Sequence, residues 1–348
     1  REGLTSYDLP AARELSELVE KVRSLVERPS ELEIGDFRRQ ASRLYRFLVG
    51  PAAKSLAGKH SLLIAPDGPL YVFPFEVLLT DEKAGPSLSY PDLPYLLRQH
   101  AISYVPSASV LKGLREPEAQ EPPQELQEKA FVAFANPLSN SRQAAPRAGA
   151  VRGLTEPEHR SFPPLLYSEQ EVKAIAKLFA DDQVELYLGD SATKENVLGN
   201  PLVERARRVH FATHGFVDET RPERSALVLT PSAGQDGYLT VAEIFNMKLR
   251  ADLLVLSACE TGLGKEVGGE GIVGLTRAFL YAGAKSLIVS LWPVVDRPTA
   301  DLMRNFYQSL DTTGSKVEAL RKAKLDMIRG GQPNPYLWAP FILSGDLR

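Results

Sequence analysis

Residues 253–291 read LLVLSACETGLGKEVGGEGIVGLTRAFLYAGAKSLIVSL. Leu253–Ser257 is a short, nearly continuous apolar run of the kind found in strands buried on both faces of a sheet, and Leu287–Leu291 is a second. Between them, the stretch Gly271–Ala282 places Ile272, Leu275, Phe279 and Leu280 on one side of a helix. It stops at Gly283, where a left-handed residue can close the last turn. Strand, helix and strand in this order predict a parallel β-α-β unit, and so an α/β fold.

The same grammar extends outward. Strands are predicted at Phe131–Phe134, Val184–Leu188 and Val209–Thr213, with helices at Glu169–Phe179 and after Ser191. A hairpin through Ala226–Leu229 and Tyr238–Thr240, two C-terminal helices and a last extended run at Phe341–Leu343 complete this half. The stretch 137–164, rich in Pro, Ala, Arg and Ser, is predicted to be a mobile loop. Upstream, Leu15, Leu18, Val19, Val22, Leu25 and Val26 recur at helical spacing, as do Phe37, Ala41, Leu44, Tyr45 and Leu48. Leu62–Ala65 and Leu70–Phe73 flank the turn Pro66-Asp67-Gly68-Pro69 and predict a β-hairpin. A further extended piece, Ile102–Val105, precedes a polar connector at 116–128. The chain therefore divides into an N-terminal helical and hairpin segment, 1–128, and an α/β domain, 129–348.

Composition narrows the function classes. The 348 residues carry 41 Lys and Arg against 44 Asp and Glu, a net charge of -3, so no basic surface for nucleic acid is indicated. At 43% hydrophobic and 24% charged, with one cysteine, the chain is neither disordered nor a disulfide scaffold. It has no apolar run of ~18 residues, and neither a secretory leader nor membrane association is expected. A single thiol suits a reducing compartment, and a cytoplasmic location is the expectation. The chain starts at Arg1 rather than at methionine, which reads as part of a longer protein.

Ligands of open α/β sheets gather at the carboxyl ends of the strands. Two reactive side chains are expected there: His214, where Val209–Thr213 meets Gly215, and Cys259, just past Leu253–Ser257. If these strands are neighbours, imidazole and thiol share one edge as general base and nucleophile. A free thiol has a pKa of ~8.5, so it needs an imidazole to take its proton at neutral pH. Gly215 lets a backbone N–H approach substrate, and with the Cys259 N–H it can form an oxyanion hole. The plain alternative is that Cys259 is an inert core residue.

His210-Phe211-Ala212-Thr213-His214-Gly215, Gly237-Tyr238-Leu239-Thr240, Leu256-Ser257-Ala258-Cys259-Glu260-Thr261-Gly262, Gly269-Glu270-Gly271 and Ser290-Leu291-Trp292-Pro293-Val294 together resemble the CHAT family of caspase-like cysteine peptidases, relatives of caspases and separase. Pro66-Asp67-Gly68, Tyr104–Ala108 and Trp338-Ala339-Pro340-Phe341 add to the likeness. The resemblance implies a caspase-like, mostly parallel sheet flanked by helices, with residues 1–128 packed on it or forming a pseudo-caspase half. It implies peptide-bond cleavage by a His214–Cys259 dyad without a metal or organic cofactor, acting on a protein or peptide substrate. It also implies a regulatory module N-terminal to this chain or an activating partner. In separase-like relatives an acid at the position of Asp296 helps receive a basic P1 side chain; Glu270, flanked by glycines, is expected to hold the Cys259 loop in place or to contact an activating segment. For both acids the bland account is a carboxylate at a helix N-terminus.

Other signals are weaker. Gly269-x-Gly271-x-x-Gly274 matches a dinucleotide fingerprint, but about eleven residues separate it from the preceding strand, where it should follow at once. His210 and His214 have the spacing of helical zinc ligands, yet on a strand they stand ~13 Å apart. His210 is read as structural. A catalytically silent caspase-fold adaptor that binds a protein partner is the alternative function.

Overall fold

The computed structural model describes residues 3–28, 33–81, 89–115, 129–138, 162, 165–218, 221–232, 234–257 and 270–347, apart from the Glu270 side chain. The elements are α1 (Ala12–Glu27), α2 (Ile34–Leu48), α3 (Ala53–Leu56), β1 (Ser61–Ile64), β2 (Ala101–Tyr104), α4 (Ala108–Arg115), β3 (Phe131–Ala135), α5 (Ser168–Ala176), β4 (Val184–Leu188), α6 (Pro201–Glu204), β5 (Arg208–Ala212), β6 (His214–Phe216), β7 (Ala226–Val228), β8 (Tyr238–Thr240), α7 (Val241–Ile244), β9 (Leu253–Leu256), α8 (Glu270–Tyr281), β10 (Ser286–Ser290), α9 (Asp296–Thr313), α10 (Lys316–Arg329), α11 (Pro335–Trp338) and β11 (Phe341–Gly345). An eight-stranded sheet runs in the order β1-β2-β11-β10-β9-β5-β3-β4, and β6-β7-β8 form a second, three-stranded sheet. The chain divides into two units: Arg1–Pro117 with Glu266–Gly269 and Ile288–Arg348, and Glu118–Lys265 with Glu270–Leu287. No described helix is long and apolar enough to cross a membrane.

In the first unit, α1 buries Leu18, Val19, Val22, Leu25 and Val26, and α2 buries Phe37, Ala41 and Leu44, the stripes that the periodicity marked. β1 and β2 are parallel, with Ser61 opposite Ala101 and Ile64 opposite Tyr104. The predicted hairpin is therefore corrected. Residues Gly68–Val72 wind into a 3-10 turn that starts at Gly68 with φ +55°. The pairing edge of β1 is taken by β2, a strand buried along its whole length, which a local turn signal cannot anticipate. A charged cluster is enclosed nearby: Lys324 Nζ donates to Glu76 Oε1 at 2.7 Å and Tyr104 Oη donates to Glu76 Oε2 at 2.5 Å. Both ion-pair partners are 1% exposed. Burial pulls the Lys324 ammonium below the ordinary lysine range against the opposing pull of Glu76.

In the second unit, β4, β3, β5 and β9 are parallel neighbours in that order. β3, β5 and β9 are buried throughout, which is why β3 and β9 read as uninterrupted apolar runs rather than alternating ones, while β5 encloses Arg208 and His210. α8 ends where predicted: Gly283 has φ +110°, and a Cβ there would lie 2.1 Å from the Leu249 carbonyl oxygen. The helix predicted to open at Ser191 does not form: a 3-10 turn, Gly189–Ser191, ends there with the Ser191 hydroxyl accepting from Leu188 N–H at 2.7 Å, and the next helix is α6 at Pro201–Glu204. Most of the predicted 137–164 loop, and the whole connector 116–128, lie outside the described residues.

Candidate active site

β5 and β9 are direct neighbours, with Val209 opposite Leu254, His210 opposite Val255 and Phe211 opposite Leu256. Ser257 N–H continues the ladder to the Phe211 carbonyl at 2.9 Å. The two strand ends thus share one edge. His214 lies three residues beyond Phe211, and Cys259 lies three beyond its partner Leu256. Cys259 falls within 258–269, outside the described residues, and so does the side chain of Glu270.

The chain turns sharply between Ala212 and His214. His214 is not the last residue of the parallel strand but the first of β6, opposite Val228, with Gly215 opposite Leu227. That antiparallel sheet holds the imidazole in a nearly closed setting. It is 6% exposed, and the Phe162 ring lies over it with centroids 5.1 Å apart and planes 31° apart. Phe162 also forms an apolar cluster with Phe216 and Val228, against which Tyr238 packs. Phe162 carries no periodic signal in its Pro-rich surroundings, so the sequence did not single it out.

The described residues before and after Cys259 are fixed in place. The chain leaves the described structure at Ser257, bonded to Phe211, and re-enters at the start of α8. There Gly271 packs so closely that a Cβ would come within 2.2 Å of Val217 Cγ1 and 2.9 Å of Ser225 Oγ. Val217 follows β6 directly. The described residues Ser257 and Gly271 thus contact Phe211 and Val217, which stand on either side of His214 in the chain, and the glycine of the apparent dinucleotide fingerprint serves helix packing.

His210 is buried completely, and its Nε2 lies 2.8 Å from Glu171 Oε1. Ser257 Oγ donates to the same oxygen at 2.6 Å. Glu171 was not marked by the sequence reading, because an acid in the first turn of a helix is ordinarily a solvated one. Asp296 is the first residue of α9 in the first unit, partly exposed, where a carboxylate favours the helix dipole. Pro298 stands third in that helix. His100 Nδ1 donates to the Lys59 carbonyl at 2.7 Å, a structural bond.

The CHAT domain family model matches residues 38–346. The chain belongs to the CHAT domain family. It is 27% identical to human tetratricopeptide repeat protein 28 over 349 aligned positions, covering 87% of this chain and 13% of that protein. The chain thus spans about an eighth of the length of the curated relatives it matches. Among solved structures, the Arg-specific cysteine proteinase gingipain R matches with a TM-score of 0.51 at 10% identity, over 97% of this chain and 76% of that one. Saccharomyces cerevisiae separase, solved with securin, matches with a TM-score of 0.48 at 15% identity, over 94% of this chain and 20% of that one. The CHAT fold of this chain is the caspase-like one, mixed α/β around a mostly parallel sheet.

Proposed function

We propose that this CHAT domain is a cysteine endopeptidase whose dyad is His214 and Cys259. The observation that carries the reading is the register of β5 and β9: Phe211 pairs with Leu256, and base and nucleophile each follow three residues later. His214 takes the thiol proton and the Cys259 sulfur attacks the scissile carbonyl, while the N–H groups of Gly215 and Cys259 receive the oxyanion. The tetrahedral adduct collapses as His214 returns the proton to the leaving amine. Water, deprotonated by His214, then hydrolyses the thioester and releases the thiol and the carboxylate product. Asp296 as the acceptor of a basic P1 residue, Glu270 as support for the Cys259 loop, cytoplasmic action and control by a module N-terminal to this chain extend the same proposal. The similarity to a tetratricopeptide repeat protein supports the last of these.

The test is hydrolysis of a mixed-P1 fluorogenic peptide library by the wild-type chain, Cys259→Ala and His214→Ala. Turnover lost by a factor of about 10² or more in both variants supports the dyad. Turnover retained in Cys259→Ala overturns it. A P1 profile unchanged in Asp296→Ala removes that residue from the specificity pocket. Phe162 lying over His214 favours the second reading, a silent adaptor that binds a protein partner. That reading expects no hydrolysis and no labelling of Cys259 by a peptide electrophile.

A further inference from the structure

The buried cluster of Glu171, His210 and Ser257 has no part in the chemistry above. It joins three elements: Glu171 comes from α5, His210 from β5 and Ser257 from the end of β9. Glu171 and Ser257 are each 2% exposed and His210 is fully buried. One carboxylate oxygen, Glu171 Oε1, takes both the Ser257 hydroxyl at 2.6 Å and His210 Nε2 at 2.8 Å. A carboxylate only accepts, so Nε2 carries the proton and the imidazole orientation follows from that bond. Enclosing a carboxylate has a desolvation cost that well-packed apolar side chains of similar volume avoid, so stability alone is a poor reason for the cluster.

Its place in the fold supplies a better one. His210 stands four residues before His214, and Ser257 stands two before Cys259. The cluster sits on the strands themselves, ahead of both proposed dyad residues in the chain. It grips the two strands just before they release the two dyad segments, and Ser257 is also tied to Phe211 through the backbone. A serine hydroxyl and a histidine ring drawn to one oxygen lock the relative register and rotation of the strand ends.

We propose that Glu171, with His210 and Ser257, is a positioning network that aims the Cys259 segment at His214. The proposal rests on the dyad reading. Cys259 is the only cysteine in the chain, so the rate of alkylation by iodoacetamide, followed by intact mass, reports that thiol alone. Ser257→Ala removes one hydroxyl and no packing carbon. It is expected to lower kcat on the peptide library by about tenfold or more with KM nearly unchanged, and to displace the alkylation-against-pH profile while the melting temperature stays close to wild type. Glu171→Ala is expected to reproduce the kinetic loss, and Glu171→Gln, which keeps an acceptor oxygen, to restore most of it. A purely structural role would lower the melting temperature of Glu171→Ala and leave the thiol profile of the folded Ser257→Ala chain at the wild-type curve. That unchanged curve overturns the proposal. Failure of the dyad reading shows separately, as a His214→Ala profile identical to wild type.

Discussion

Gly271→Ala places a methyl carbon 2.2 Å from Val217 Cγ1 and 2.9 Å from Ser225 Oγ. Carbon atoms in contact prefer about 3.5–4.0 Å, so Val217 or the helix start must retreat by more than about 1 Å. Both neighbours are confined, Val217 being 3% exposed and Ser225 fully buried with its hydroxyl accepting from Asp218 N–H at 3.0 Å. Overpacking of this kind costs about 1–3 kcal/mol. Alanine returns at most about 1 kcal/mol through its helix propensity, and less in a first turn. The expected net loss is about 1–2 kcal/mol. Val217→Ala alone removes two buried methyl groups and costs about 2 kcal/mol. In that background the 2.2 Å contact is gone while those with Ser225 Oγ at 2.9 Å and Val217 Cβ at 3.4 Å remain, so Gly271→Ala costs less by about 1 kcal/mol. The four proteins form a double-mutant cycle, measured by urea unfolding. The expected coupling is about 1 kcal/mol or more, against an additivity error of about 0.3–0.5 kcal/mol. Additive effects within that error would refute the claim that glycine at 271 is required by the approach of α8 to Val217.

Three further outcomes are expected. Glu76→Leu leaves the Lys324 ammonium enclosed without its partner and should cost about 3–5 kcal/mol in unfolding experiments, whereas Glu76→Leu with Lys324→Met should recover most of the loss. A double variant no better than the single one would show that the pair does not act as a unit. Burial raises the Tyr104 and Tyr95 phenols well above the ordinary value of 10, for Tyr104 with Glu76 adding to it. Their contribution to stability is complete below pH 10 and is lost as pH climbs through the raised folded values, so their phenolate absorbance should appear together with alkaline unfolding. Ionisation of both in the folded chain near pH 10 would contradict that. Phe162→Ala should cost about 3 kcal/mol and should move the His214 ring proton resonances downfield as the aromatic face over them is removed. Unshifted resonances would mean that Phe162 does not cover the imidazole in solution.

Much of the second unit was legible because its signals are local. Buried parallel strands such as β3, β9 and β10 read as apolar runs, and these, with β4 and β5, fall where the sequence puts them, within a residue or so. Gly283 was readable as a helix stop because a positive φ is a property of one residue. The β1 pairing was not readable. The run after Pro66-Asp67-Gly68-Pro69 has hairpin chemistry, yet β1 finds its partner in β2, about forty residues on, through burial rather than through the turn. β6 was missed for a related reason, since three residues beginning with His214 carry no periodicity and become a strand only by pairing with β7.

The sequence by itself determined the α/β class, the family resemblance and the residue types of the proposed dyad, because strand burial and motif chemistry are written in consecutive residues. Only the tertiary structure decided that β5 and β9 are in register, that Phe162 lies over His214, and that Glu171 reaches across from α5 to hold both strands. Each of these joins side chains tens of residues apart. Such contacts depend on which buried surfaces meet, and no local pattern of hydrophobicity or turn propensity encodes that.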